Sequence, residues 1–402
     1  MLLSIAVMLI SGMFLGWICK KMHLPALLGM IFTGMLLGPY ALDYIDGSIL
    51  SISAELRKIA LIIILARAGL SLDVADLKKV GRPAVLMCFL PACFEIFGMI
   101  LLAPGMLGIT VLDAAILGAV VGAVSPAVIV PKMLTLLEEG YGTGKSIPQL
   151  ILAGASVDDI FVIVMFSAFT GLAQGGTISP VSFLRIPLSI LSGILMGIVI
   201  GYGLARYFGK IHMRDTAKVL LLLSIAFLLV SAEDRFTDII PFSALIAVMC
   251  IGISLKRERT AVACRLAAKF NKLWVAAEII LFVLVGATVD LKYATAAGPA
   301  AIILIVCVLI FRMAGVLCCL LKTRLNMKER LFCMIAYMPK ATVQAAIGAL
   351  PLSMGLACGQ IVLTVAVLSI LITAPLGSFL IERTYKKLLK PQEGRLASGD
   401  QL

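Results

Sequence analysis

The sequence predicts an all-α polytopic membrane protein of about thirteen transmembrane helices arranged as inverted repeats, with two of the helices broken where they cross. Three observations carry this. Hydrophobic side chains make up 61% of the 402 residues, roughly 245 in all, against about 45 to 50% in a soluble chain. Charged residues are only 14%, where about 25% is usual. At ~20 residues per helical span, this apolar content fills about twelve crossings and leaves no material for a separate soluble domain. Segments alternating with a two-residue period are missing, which argues against a β-barrel.

Apolar runs between charged punctuation mark the spans in order. The first, 2–19, has no basic residue ahead of it and Lys20 and Lys21 behind it. That is the charge order of an anchor with its N-terminus outside, not of a cleaved secretory signal. Spans 25–42 and 54–72 follow, the latter closing on LARAGLSLD, and 83–104 carries Glu95. The fifth span, 111–134, and the sixth, 147–173, hold the strings VVGAVSPAVIVPKML and GASVDDIFVIV. Spans 181–205, 217–232, 238–255 and 272–289 are separated by basic patches, the densest running from Lys256 to Lys272. Span 295–321 contains Arg312, 330–356 contains AYMPKATVQAAIGALPL, and 358–381 leads into a polar tail. The domain reading is therefore one transmembrane domain over 1–385 and a polar cytoplasmic tail over 386–402.

The basic residues test this layout. Twenty-six of the 34 lysines and arginines fall in alternate loops and only five, Arg57, Lys58, Arg185, Arg235 and Lys292, on the other side. By the positive-inside rule the chain has thirteen spans, its N-terminus outside and its C-terminus in the cytoplasm, and it sits in the cell inner (plasma) membrane. The net charge of +12 lies in these short patches. No basic stripe is interleaved with aromatics, so the charge orients the chain among lipids and does not bind nucleic acid. Cys88, Cys93, Cys250, Cys307, Cys318 and Cys319 lie inside apolar runs without ligand spacing and read as small buried hydrophobes. His23 and His212 read as solvated loop residues.

Ionisable side chains inside a span each cost ~2.5 to 3.5 kcal/mol on insertion scales, so each is a functional candidate. Away from the span ends they are few: Arg67, Glu95, Asp158, Asp159, Arg312 and Lys340. Arg67 lies near a cytoplasmic end, where its head group can snorkel, and Asp113 and Glu278 read as interfacial. Asp158 and Asp159 stand mid-span, about 100° apart around the helix, so one faces a cavity and the other a partner. An exposed aspartate is ionised throughout the physiological range. In hydrocarbon it must hold a proton or a small cation, and hardly both.

Pro126 and Pro131 interrupt the fifth span, and Pro339 and Pro351 the twelfth. Proline removes a backbone donor and clashes with the preceding turn, and unwound backbone at membrane depth survives only inside protein or beside a wet cavity. Two such segments seven spans apart make spans 1–6 and 8–13 inverted repeats, the sequence pattern of a secondary transporter with its site at the crossing. Glu95 and Arg312 then occupy corresponding spans, and a buried acid and base so placed should pair. Lys340 either offsets the partial negative charge of half-helix C-terminal ends or pairs with Asp158.

The strings GAVSPAVIVPKML, YGTGKSIPQLILAGASVDDI and YMPKATVQAAIGAL, with LARAGLSLD, Glu95 and Arg312, resemble the monovalent cation:proton antiporter superfamily. Within it they are similar to the sodium(lithium)/proton antiporters of the NHA type, over about residues 60 to 350. The resemblance implies the sodium/proton antiporter fold and a homodimer, with a dimerisation domain and a six-helix core that moves like an elevator. It implies Asp159 as cation and proton carrier, Asp158 as its neighbour, Glu95 and Arg312 as a buried pair, and Lys340 as the basic residue of the second broken helix. Where the wider superfamily carries Thr-Asp-Pro in the first broken helix, this chain reads Val124-Ser125-Pro126. The acid that offsets the positive half-helix ends must then come from elsewhere.

The expected function is antiport of Na⁺ or Li⁺ against H⁺ by alternating access, with Na⁺ held at Asp158 and Asp159, assisted by Ser125 and backbone carbonyls. No resident cofactor is called for, since the ions are cargo. If Glu95–Arg312 is a permanent pair and Lys340 stays charged, one proton moves per cation and exchange is electroneutral. If a lysine releases its proton, two move and transport carries current. Potassium/proton antiport or efflux within the same superfamily is the alternative substrate reading, and sodium-coupled uptake of an organic anion should rely on neutral polar sites instead. An intramembrane aspartyl protease needs carboxylates from separate helices and a GxGD string, which this chain lacks.

Overall fold

The computed structural model describes residues 1–22, 24–72, 81–174, 180–236, 242–289 and 291–391. His23, Lys78, Lys79 and the tail beyond Pro391 lie outside the described residues. Among the described residues there is no β-strand, and a single isolated bridge joins Tyr141 to Pro391.

Among the described residues nine helices are long and apolar enough to cross a membrane, and the protein is a multi-pass membrane protein. They lie on nine of the thirteen predicted runs. The other four runs fall on helices that are shorter or more charged: α2 (Ala26–Leu37), α4 (Ser53–Ser71), α12 (Ala244–Glu258) and the interrupted stretch from Met327 to Ser353. Contacts divide the chain into two compact units.

The first unit comprises Met1–Gly47, Asp76–Phe166 and Phe282–Leu402. It contains α1 (Leu2–Lys21), α2, α5 (Arg82–Met87), α6 (Leu90–Leu107), α7 (Val111–Val121), α8 (Pro126–Glu139), most of α9 (Ile147–Gln174), α14 (Leu291–Cys319), α15 (Met327–Ala336), α16 (Thr342–Ile347), α17 (Leu350–Ser353) and α18 (Gly359–Leu388). Lipid tails are as apolar as leucine, so helices in a bilayer associate through close backbone approach. α1 buries only the stripe Ser4, Met8, Gly12 and Gly16. Where α2 meets the last turns of α13 (Thr260–Ala287), a side chain on Gly34 would collide with the Val283 carbonyl, and one on Gly286 with the Ile31 carbonyl. Gly286→Val should therefore lower the thermal unfolding midpoint in detergent, at a cost of about 1–3 kcal/mol. Gly203→Val, which meets open space, should leave the midpoint unchanged.

The second unit comprises Ser48–Ala75 and Ser167–Leu281, and holds α4, α10 (Pro180–Lys210), α11 (Asp215–Phe236), α12 and most of α13, with α12 packed against α4, α10 and α11. Glu233 accepts the Ala244 N–H at 3.0 Å and so caps α12 from the neighbouring helix.

Several boundaries differ from the sequence reading. The helix expected to start at 272 begins at Thr260, so Arg265, Lys269 and Lys272 belong to helical turns that continue outward from the apolar stretch. Arg57, counted with the outer loops, lies one turn inside α4 with only 3% exposed, and its Nε and Nη1 have no hydrogen-bond partner among the described residues. The last helix runs past the expected span end at 381 to Leu388, and Leu388 and the buried Leu389 pack into the apolar cluster around Met133, Ile151 and Phe332. Tyr385 Oη donates to Glu139 at 2.8 Å, Lys132 pairs with Glu382, and Gly142 N–H donates to Lys390 O at 2.9 Å.

Candidate functional site: two interrupted helices and a buried charge cluster

Both spans expected to break at their prolines are interrupted. The first stops at Val121 and resumes at Pro126, and the second stops at Ala336 and resumes at Thr342. Pro126 stands at the first turn of α8, where its missing N–H is not needed. Pro131, expected to interrupt the helix as well, lies inside α8 and ends nothing. There its lost donor removes one rung of the ladder. Pro339 lies in the second gap, and Pro351 opens the short α17.

The first halves start alike. Thr110 and Asp113 form a capping box on α7, and Asn326 and Glu329 form one on α15. Each acid satisfies a free N–H and sits at the positive end of the helix dipole. Asp113, read as interfacial, thus has a capping role. Glu329 also accepts from Lys145 Nζ at 2.7 Å.

The two gaps are joined by the Ser125 N–H, which donates to Pro339 O at 2.8 Å. Around this junction every exposed carbonyl of the first gap up to Ala123 has a donor. Lys340 Nζ donates to Val121 O at 2.6 Å, Arg312 Nη1 to Gly122 O, and Gln344 Nε2 to Ala123 O at 2.9 Å and Val121 O at 3.2 Å. Arg312 Nε donates to Tyr337 O at 2.7 Å, at the end of the other first half. Cationic and amide donors thus meet the negative ends of both half-helices.

Arg312 on α14 is the hub, 1% exposed. Its Nη1 lies 2.8 Å from Glu95 Oε2 on α6 and its Nη2 2.8 Å from Asp158 Oδ2 on α9. A guanidinium suits this place because its planar fork carries five donors. Its carbon also lies 5.5 Å from the centre of the Tyr337 ring, a cation–π contact. Lys340 Nζ is 2.6 Å from Glu95 Oε1. Of the two roles open to Lys340 in the sequence, it meets the half-helix end. Its acid is Glu95, not Asp158. Lys340 is fixed from the other side by its own N–H, which donates to Thr373 Oγ1 on α18 at 2.9 Å.

Asp158 Oδ2 also accepts the Val124 N–H at 2.8 Å. A carboxylate from α9 therefore reaches the unwound backbone where the motif carries Ser125 in place of an acid. Asp159 differs from its neighbour: among the described residues it has no salt bridge, and it is 8% exposed where Asp158 is 0%. Asp158 Oδ1, Asp159 Oδ1 and Ser125 Oγ are all buried without a hydrogen-bond partner among the described residues. Unpaired oxygens at such depth cost about 1–3 kcal/mol each. All three are oxygens of the kind a hard cation takes as ligands.

Sequence reading missed Gln344, Tyr337 and Thr373. Glutamine in a span was not weighed because it carries no charge, although one inside ATVQAAIGAL just after a broken helix is itself a signal. Tyr337 and Thr373 act partly through backbone or hydroxyl groups that leave no mark in a hydropathy pattern.

Comparisons with known proteins agree with this architecture. The solved structure of the sodium proton antiporter MjNhaP1 from Methanocaldococcus jannaschii at pH 8 superposes with a TM-score of 0.84 at 18% identity, covering 96% of this chain and 97% of that one. At that identity the likeness shows the fold. Sodium/hydrogen exchanger 9B2 of Homo sapiens is 36% identical over 394 residues, covering 92% of this chain and 71% of that protein. The Xenopus tropicalis 9B2 protein is 34% identical over 99% of this chain and 77% of its own length. A family model described as "Sodium/hydrogen exchanger, transmembrane" matches residues 5–387, from the first helix to the last and through every residue of the charge cluster, and the chain belongs to the sodium/hydrogen exchanger family.

Proposed function

We propose that this protein exchanges Na⁺ or Li⁺ for H⁺ across the cell inner (plasma) membrane by alternating access, with Asp159 binding cation and proton in turn. One observation carries the reading. Glu95, Asp158, Arg312 and Lys340 close on one another as two negative and two positive charges, leaving Asp159 without an ion-pair partner among the described residues. One sodium ion or one proton on Asp159 makes the site neutral, and either neutral form can be carried through a low-dielectric barrier that the bare carboxylate cannot pass. Asp158 Oδ1, Ser125 Oγ and backbone carbonyls complete the oxygen shell. Family membership supports the ions and the antiport. The homodimer, the inverted repeats within a transmembrane domain ending near residue 385, and the N-outside orientation belong to the same proposal.

With one titrating carrier and a permanently balanced cluster, exchange is one for one and electroneutral. The test is purified protein in liposomes with an entrapped pH dye, challenged with Na⁺, Li⁺ and K⁺ in turn. Na⁺ and Li⁺ should drive internal pH changes that persist when the membrane potential is clamped, and no current should appear on a solid-supported membrane. A response to K⁺ alone, or a sodium-driven current, would refute the assignment of ion or of stoichiometry.

A further inference from the structure

Gln344 is 1% exposed on α16, where the second interrupted helix resumes. Its amide orientation is forced by its surroundings. Carbonyl oxygens only accept, so the nitrogen end must face Val121 O and Ala123 O. Oε1 then points away and is buried without a partner. Leucine at this position would donate nothing. Lysine or arginine would donate but would add a charge to a cluster whose charges already cancel. Glutamine alone among side chains of this reach supplies two N–H groups to two carbonyls at no net charge.

We propose that Gln344 is a positioning residue for cation exchange. It is a neutral clamp on the carbonyls of residues 121 and 123 that holds the next two residues so that Val124 N–H meets Asp158 and Ser125 Oγ stays free for the cation. It acts through the main chain, and the inference rests on the antiport reading above. The charged groups beside it are Lys340, which shares the Val121 carbonyl with it, and Arg312, which holds the intervening Gly122 carbonyl, with the acids Glu95 and Asp158 that those cations hold.

Two variants test this in proteoliposomes. Gln344→Met keeps the length and loses both donors. Its half-saturating sodium concentration should rise about tenfold, equivalent to about 1.4 kcal/mol, by the same factor at every pH. Gln344→Glu can donate only while its carboxyl is protonated, so its sodium response should approach the wild type at acid pH and fall away as pH rises. This pH-dependent difference between the variants is not expected from a packing role. Should Gln344→Met fail to purify as a monodisperse protein, the pH profile of Gln344→Glu decides alone. A wild-type sodium half-saturation in the first variant, or a wild-type pH profile in the second, overturns the proposal. Wild-type protein that moves no protons in response to sodium overturns the antiport reading instead, and this inference with it.

Discussion

Asp159→Asn is expected to reduce sodium-driven proton movement to the background of protein-free liposomes while the protein stays folded. The amide is nearly isosteric with the carboxyl, but it neither takes up a proton nor neutralises a cation, so both half-reactions of the exchange stop. Stability should hold or rise slightly, because the carboxylate replaced has no ion pair among the described residues and one of its oxygens is buried without a partner. An unpaired buried polar group opposes folding. The neighbouring change, Asp158→Asn, should behave differently. It takes a charge from Arg312 and weakens the acceptor for Val124 N–H, so it should lower the unfolding midpoint together with activity. The decisive comparison is melting temperature against transport for the two variants. A working Asp159→Asn protein would end the case for this carboxyl as carrier.

The second large effect concerns Arg312→Met. Methionine fills much of the volume but leaves Glu95 Oε2, Gly122 O and Tyr337 O without the donor each now has, and Asp158 Oδ2 with the Val124 N–H alone. Breaking a buried ion pair from one side typically costs about 3–5 kcal/mol, a large share of a total stability of about 5–15 kcal/mol. The variant should aggregate on detergent extraction, which size-exclusion chromatography will show. Arg312→Lys keeps the charge but loses the planar fork, and should fall between the two. Adding Glu95→Gln to Arg312→Met should recover part of the loss, because one orphaned acid is then removed. The interaction energy from this double-mutant cycle measures the coupling of the pair. An Arg312→Met protein as stable as the parent would contradict the hub.

The charged members of the site were legible because lipid makes each of them costly: Glu95, Asp158, Asp159, Arg312 and Lys340 stand out against an apolar background. The prolines showed where two helices open. Pairing was only half legible. Matched positions in the two halves pointed to Glu95 with Arg312, but Lys340 lying on Glu95, and Asp158 on Arg312, depend on how four helices approach one another, which no local pattern encodes. Gln344 escaped for want of charge, and Val124 and Tyr337 because their contribution is backbone. Helix ends were least legible where polar turns continue outward, as in the first turns of α13 and the last of α18, since hydropathy marks the apolar stretch and not the hydrogen-bonded helix.

The bond from Ser125 N–H to Pro339 carbonyl, with those from Lys340 and Gln344 to the Val121 and Ala123 carbonyls, ties the two interrupted helices together at several points, so neither is expected to slide without drawing the other along. The Ser125 amide hydrogen should consequently be among the slowest in the chain to exchange with deuterated solvent.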